Sequence, residues 1–136
     1  MYEDVIRNLK KYEGFKSKIY LDSRGFETIG YGFLMKDFDL KENEAEIILR
    51  RKVLEFIEKI DKAFVWFLSM PLPIQKVIIE MCYQIGIEGF AEFKNTIEAM
   101  KRHDFKMAAD HMLDSDWADQ TPARAEELAE RVRLLS

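Results

Sequence analysis

Two carboxylates and a threonine, grouped in one short stretch, are the residues best placed to do chemistry. In EGFKSKIYLDSRGFETIGYG, Glu13 to Gly32, eight residues separate Glu13 from Asp22 and five separate Asp22 from Thr28. Two carboxyl groups set apart by a turn suit cleavage of a glycosidic bond. One protonates the leaving oxygen, and the other activates water or attacks the sugar. Glu13 precedes Gly14, a natural helix stop, so it is expected in the last turn of an N-terminal helix. The negative end of the helix dipole there disfavours a carboxylate and favours the protonated acid, the bias that a general acid needs. Asp22 opens Asp22-Ser23-Arg24-Gly25, with Asp first and Gly fourth as in a type I turn. Taken alone, each carboxylate also has a purely structural reading: a solvated helix end for Glu13, a turn-shaping side chain for Asp22.

The elements that must position these residues follow from periodicity. Val5, Ile6, Leu9 and Tyr12 fall at helical spacing over about 3–12. Aromatic and β-branched residues around the turn predict a hairpin, with strands near 18–21 and 26–32 and a short third strand. Phe26, Thr28 and Gly30 then share one face, so Thr28 looks into a cleft while Ile29 packs inward. Asp39 followed by Glu42 resembles a capping box opening a long helix over about 40–67. A more apolar helix is expected over 73–85, ended by Gly86 and Gly89. Helices over 96–102 (capped by Asn95) and 105–113 (capped by Asp104) come next. A loop or short turn carrying Trp117 follows, and Thr121-Pro122 opens the last helix, to about Leu134. The predicted class is α+β: mainly helical, with a small antiparallel β lobe.

Composition sets the bounds. The 136 residues, 48% apolar and 34% charged, fit one globular domain: a β lobe near 14–39, a long helix, and a helical lobe over 69–136 together with helix 3–13. A single cysteine, Cys82, excludes an internal disulfide framework, and its place on an apolar helix face reads as a buried, inert thiol. The net charge of −4 disfavours nucleic-acid binding through a basic surface. No export signal or membrane-spanning run is legible, so no membrane insertion is expected. His103 and His111 lack partners at metal-ligand spacing, and no Gly-rich phosphate loop or Ser nucleophile elbow occurs. Neither a metal nor another cofactor is expected.

Three blocks, in order, resemble the phage-type lysozymes (tailed-phage endolysins, glycoside hydrolase family 24). The first is Glu13-Gly14, Tyr20, Asp22, Gly25 and Thr28-Ile29-Gly30-Tyr31-Gly32; the second is Met81 to Gly86 (MCYQIG); the third is Trp117-Ala-Asp-Gln-Thr-Pro-Ala-Arg-Ala. The resemblance covers nearly the whole chain and implies a lysozyme-like fold and a muramidase. Such an enzyme cuts the β-1,4 bond between N-acetylmuramic acid and N-acetylglucosamine in peptidoglycan glycan strands. Carried over, Glu13 is the general acid, and Asp22 with Thr28 positions water on the opposite face of the sugar, giving inversion. Leu34, Tyr83, Thr96 and His111 match the family's sugar-contacting positions. Arg124 matches its arginine behind the acid, while Gln84, Trp117, Gln120 and Thr121 match supporting positions of that corner.

The resemblance further implies a monomer acting at the end of phage infection, held in the host cytoplasm and reaching the wall through a separate pore, a holin. Phe33 departs from the histidine that many members carry there, and the acidic total predicts lysis little enhanced by salt-sensitive attraction to an anionic wall. Two competing readings stand beside this one. A lytic transglycosylase would leave anhydro ends, and a non-catalytic wall-binding or virion module would release nothing.

Overall fold

A computed structural model describes residues 1–135. The chain forms two compact units, the first over Met1–Ala45 and the second from Glu46 onward. As expected, the class is α+β, with seven α-helices and one three-stranded antiparallel sheet among the described residues.

In the first unit, helix α1 spans Glu3–Glu13 and stops where Gly14 takes φ 70, its N–H donating to the Lys10 carbonyl at 3.0 Å. Strands β1 (Lys16–Leu21), β2 (Glu27–Gly30) and β3 (Phe33–Leu34) lie in chain order. The second predicted strand is thus split. Gly30 and Gly32 both have positive φ, which folds Tyr31-Gly32 into a turn and sends β3 back along β2. Thr28 on the central strand faces Tyr20 on one side and Leu34 on the other. That placement leaves Thr28 only 2% exposed and Ile29 merely half-buried, the reverse of the expected accessibility.

Helix α2 spans Glu42–Ala63, shorter than expected at both ends. The Lys41 N–H donates to Glu44 Oε1 at 2.9 Å, whereas Asp39 pairs with the Lys41 ammonium. The box therefore opens two residues later than Asp39-Glu42 suggests. At the other end the chain tightens into a 3-10 turn over Phe67–Ser69, which buries Phe67 completely. Pro71 then disfavours helical geometry at Met70, which is extended.

The second unit contains the main core. Helix α3 (Leu72–Ala91) buries Ile74, Val77, Ile78, Met81 and Cys82, and breaks at Gly86 (φ 81, ψ 161) before resuming. Around it stand α4 (Lys94–Lys101), α5 (Phe105–Leu113), α6 (Asp116–Gln120) and α7 (Pro122–Arg133). Ala99, Ala108, Ala109, Ala125 and Ala129 are fully buried, small side chains that let these helices approach closely. Arg131 donates to Glu80 at 2.6 Å, tying α7 to α3.

Caps explain the remaining differences. Asp104 accepts from the Met107 N–H at 3.2 Å as expected. α4 instead starts at Lys94, with Phe93 at the cap position and no side-chain cap, so Asn95 lies inside the helix. The predicted loop around Trp117 is helical because the Ser115 hydroxyl accepts from the Ala118 N–H at 3.2 Å. Thr121 occupies the N-cap of α7, but its hydroxyl donates backwards, to the Trp117 carbonyl at 2.9 Å.

Candidate active site

In the first unit, Glu13 is the final residue of α1 and is exposed. Its carboxylate rests against the backbone of Gly32: a Cβ built there would collide with Glu13 Oε2. The second glycine of the Gly-Tyr-Gly turn thereby leaves the space that the acid occupies.

Asp22 and Thr28 are tied to the same residue from opposite ends of its backbone. Asp22 Oδ1 accepts from the N–H groups of Arg24 and Phe26, both at 2.9 Å. The Thr28 hydroxyl donates to the Phe26 carbonyl at 2.9 Å. The turn is closed by Gly25 N–H to the Asp22 carbonyl, and the Asp22 N–H donates to the Phe26 carbonyl, both at 2.9 Å. The turn-shaping role of Asp22 is therefore real, yet it occupies only one carboxylate oxygen. Oδ2 makes no hydrogen bond among the described residues. The Thr28 oxygen, having given its proton to a carbonyl, retains lone pairs of its own. Leu34 lines a shallow hollow of about 790 Å³ with Phe33 and Phe38, whose rings stack at 6.0 Å.

In the second unit, Gln84, Thr96, His111, Trp117 and Gln120 line one cavity of about 600 Å³. The Trp117 indole N–H donates to Gln84 Oε1 at 2.9 Å. The Phe93 ring meets Trp117 edge-on at 5.8 Å, fixing an apolar wall. Thr96 is 1% exposed. Tyr83 does not line this cavity; it is half-exposed, with its ring against Phe56 at 5.7 Å. Thr121 lies beneath Trp117 through its hydroxyl, and Arg124 is exposed in the first turn of α7.

The pattern of the phage lysozyme family matches residues 10–133. The chain belongs to that family. The chain is similar to the pre-baseplate central spike protein Gp5 of Enterobacteria phage T4, with 24% identity over 86% of this chain and 25% of that protein. It is 27% identical to probable T4-type lysozyme 1 of Dictyostelium discoideum, over 88% of each chain. With the endolysin of Bacillus phage B103 it shares 26% identity over 79% of this chain and 42% of that one. The chain thus spans a quarter of one relative, about two fifths of another and most of the third. No helix among its described residues is long and apolar enough to cross a membrane.

Two features of this chain were not read from its sequence. The dependence of Glu13 on Gly32 was not legible, although the paired glycines marked a close approach. Two carboxylates that line the cavity of the second unit beside Asp116, Glu92 and Asp114, also went unnoticed. Their signal was the Asp-Ser-Asp run immediately before Trp117.

Proposed function

We propose that this member of the phage lysozyme family hydrolyses peptidoglycan as an inverting muramidase. The observation that carries the reading is the paired engagement of Asp22 and Thr28 with Phe26, beside the family match. It leaves Asp22 Oδ2 and a lone pair of the Thr28 oxygen without protein partners among the described residues. A water molecule has two protons. Given to these two acceptors, they would aim its own lone pair at the anomeric carbon. Glu13 protonates the glycosidic oxygen as the bond breaks, and Asp22 takes the proton that the attacking water loses. Charge and atoms balance: the acid ends ionised, Asp22 ends protonated, and the sugar gains a hydroxyl of inverted configuration. No cofactor takes part in this scheme.

The test is digestion of purified peptidoglycan, with the anomer of the new reducing end read by NMR before mutarotation. Inverted reducing muropeptides, lost in Glu13→Gln and Asp22→Asn, are expected. A retained anomer would assign Asp22 as nucleophile, and anhydro ends would indicate a transglycosylase. A second reading draws on the similarity to the spike protein Gp5: a virion module that binds wall without cutting it. Wall retention with no released fragments would favour that reading.

A further inference from the structure

The first unit has a charge distribution that the total of −4 conceals. Between Val5 and Lys36, the stretch that holds Glu13, Asp22 and Thr28, seven Lys or Arg stand against three Asp or Glu. None of those seven cations forms an ion pair among the described residues. The ion pairs that do form involve Lys41 with Asp39 and residues of the second unit. Cations left without counter-charges attract an anionic partner.

Two of the seven are held at one point. The Arg24 guanidinium lies 4.9 Å and the Lys36 ammonium 4.6 Å from the centre of the Phe26 ring. Phe26 and Lys36 also line a surface hollow of about 390 Å³ with Glu27 and Met35. The Phe26 backbone is itself fixed: its N–H donates to Asp22, and its carbonyl accepts from the Asp22 N–H and the Thr28 hydroxyl. A ring attracts a cation and restricts its motion without neutralising it. Neither Glu27, which shares the hollow, nor Asp22, two positions from Arg24, forms an ion pair with either cation. Both side chains thus keep their charge and their donors for a carboxylate, which a guanidinium binds through two parallel N–H groups.

We propose that Arg24 and Lys36, gathered on Phe26, form a binding site for the free carboxylates of peptidoglycan stem peptides. The occupant follows from the position. Phe26 also anchors Asp22 and Thr28, so the polymer that meets the cations is the one whose bond is cut. Its glycan backbone is neutral, because the lactyl carboxyl of each muramic acid is bound in an amide to the peptide. The anionic groups it offers are therefore the peptide's own carboxylates, and the site prefers these free over amidated. The inference rests on the proposed action on peptidoglycan and names which peptidoglycan is preferred.

The experiment uses peptidoglycan freed of other wall polymers, with its stem carboxylates free or amidated by carbodiimide and ammonium ion. The proteins are wild type, the double variant Arg24→Gln, Lys36→Gln, and a charge-matched control, Lys16→Gln, Lys18→Gln, on exposed positions of β1. Wild type and the control are expected to show a KM about five-fold higher on amidated wall, and the Arg24 and Lys36 variant little difference between walls. Added salt should shrink the preference, which the total charge alone does not predict. Binding to both walls by the Glu13→Gln protein, with and without the substitutions at Arg24 and Lys36, gives the same comparison without catalysis. Hydrolysis with equal KM on both walls overturns the site while leaving the muramidase reading intact. Carboxylate-dependent binding without hydrolysis by wild type supports the site and rejects the muramidase. A control that loses the preference as fully as the Arg24 and Lys36 variant overturns the proposal in favour of diffuse attraction. Binding that appears only when phosphate polymers are left on the wall overturns it as well.

Discussion

The Glu13 carboxylate packs on the backbone of Gly32, in space that any side chain at position 32 would fill. The carboxylate at the end of α1 therefore rests on a residue of the turn between β2 and β3, and its position depends on what that residue lacks.

Gly32→Ala is expected to displace the acid and lower peptidoglycan hydrolysis by about 100-fold, since small misplacements of a catalytic group carry penalties of that order. The φ of 74 at this position adds roughly 1 kcal/mol of destabilisation for a residue with a Cβ. Turnover and thermal melting on the same preparation separate the two effects. Unchanged activity would show that the contact does not position the acid.

Asp22→Asn separates the turn role from the chemical one. An amide oxygen can accept from the N–H groups of Arg24 and Phe26 as the carboxylate oxygen does, so folding should be preserved. The lost charge removes the proton acceptor, and activity is expected to fall by about 100-fold or more. Asp22→Ala should lose activity and also about 1–2 kcal/mol of stability, because two backbone donors lose their partner. Denaturant titration of both variants checks the difference.

Trp117→Phe removes the indole N–H and leaves Gln84 without its donor. A cost of about 1–2 kcal/mol is expected. Combined with Gln84→Leu in a double-mutant cycle, the two losses should be less than additive, because they share one interaction. Additive losses would mean that the bond contributes nothing to the fold.

Burial pushes the Cys82 thiol from 9.0 up to about 12. The folded pKa is raised, so the stabilising difference is fully present below the unfolded value, near pH 9. It is lost progressively as pH rises from there towards about 12, because the unfolded chain ionises first. Wild type should lose stability over that window about 1.4 kcal/mol per pH unit faster than Cys82→Ala. The native thiol should also resist alkylation at pH 8 and react on unfolding. Rapid native labelling would contradict the burial.

Features that depend on neighbours within a few residues were legible in the chain alone. Gly14 stops α1 at Glu13, Asp22 organises its own turn, and Asp104 caps α5, because each bond reaches only three or four positions along the chain. Hydrophobic spacing likewise marked the helices, though α1, with its clear apolar periodicity, buries no residue. Tertiary structure decided what lies opposite each side chain. It buried Thr28 between Tyr20 and Leu34, and bound Trp117 to Gln84 across 33 positions. It also turned the Thr121 hydroxyl away from the cap that its place before proline suggested, and gathered Glu92 with Asp114 and Asp116 at one cavity. Burial and charge clustering are sums over partners distant in the chain. Their outcome is fixed only when helices and strands from separate stretches are packed together.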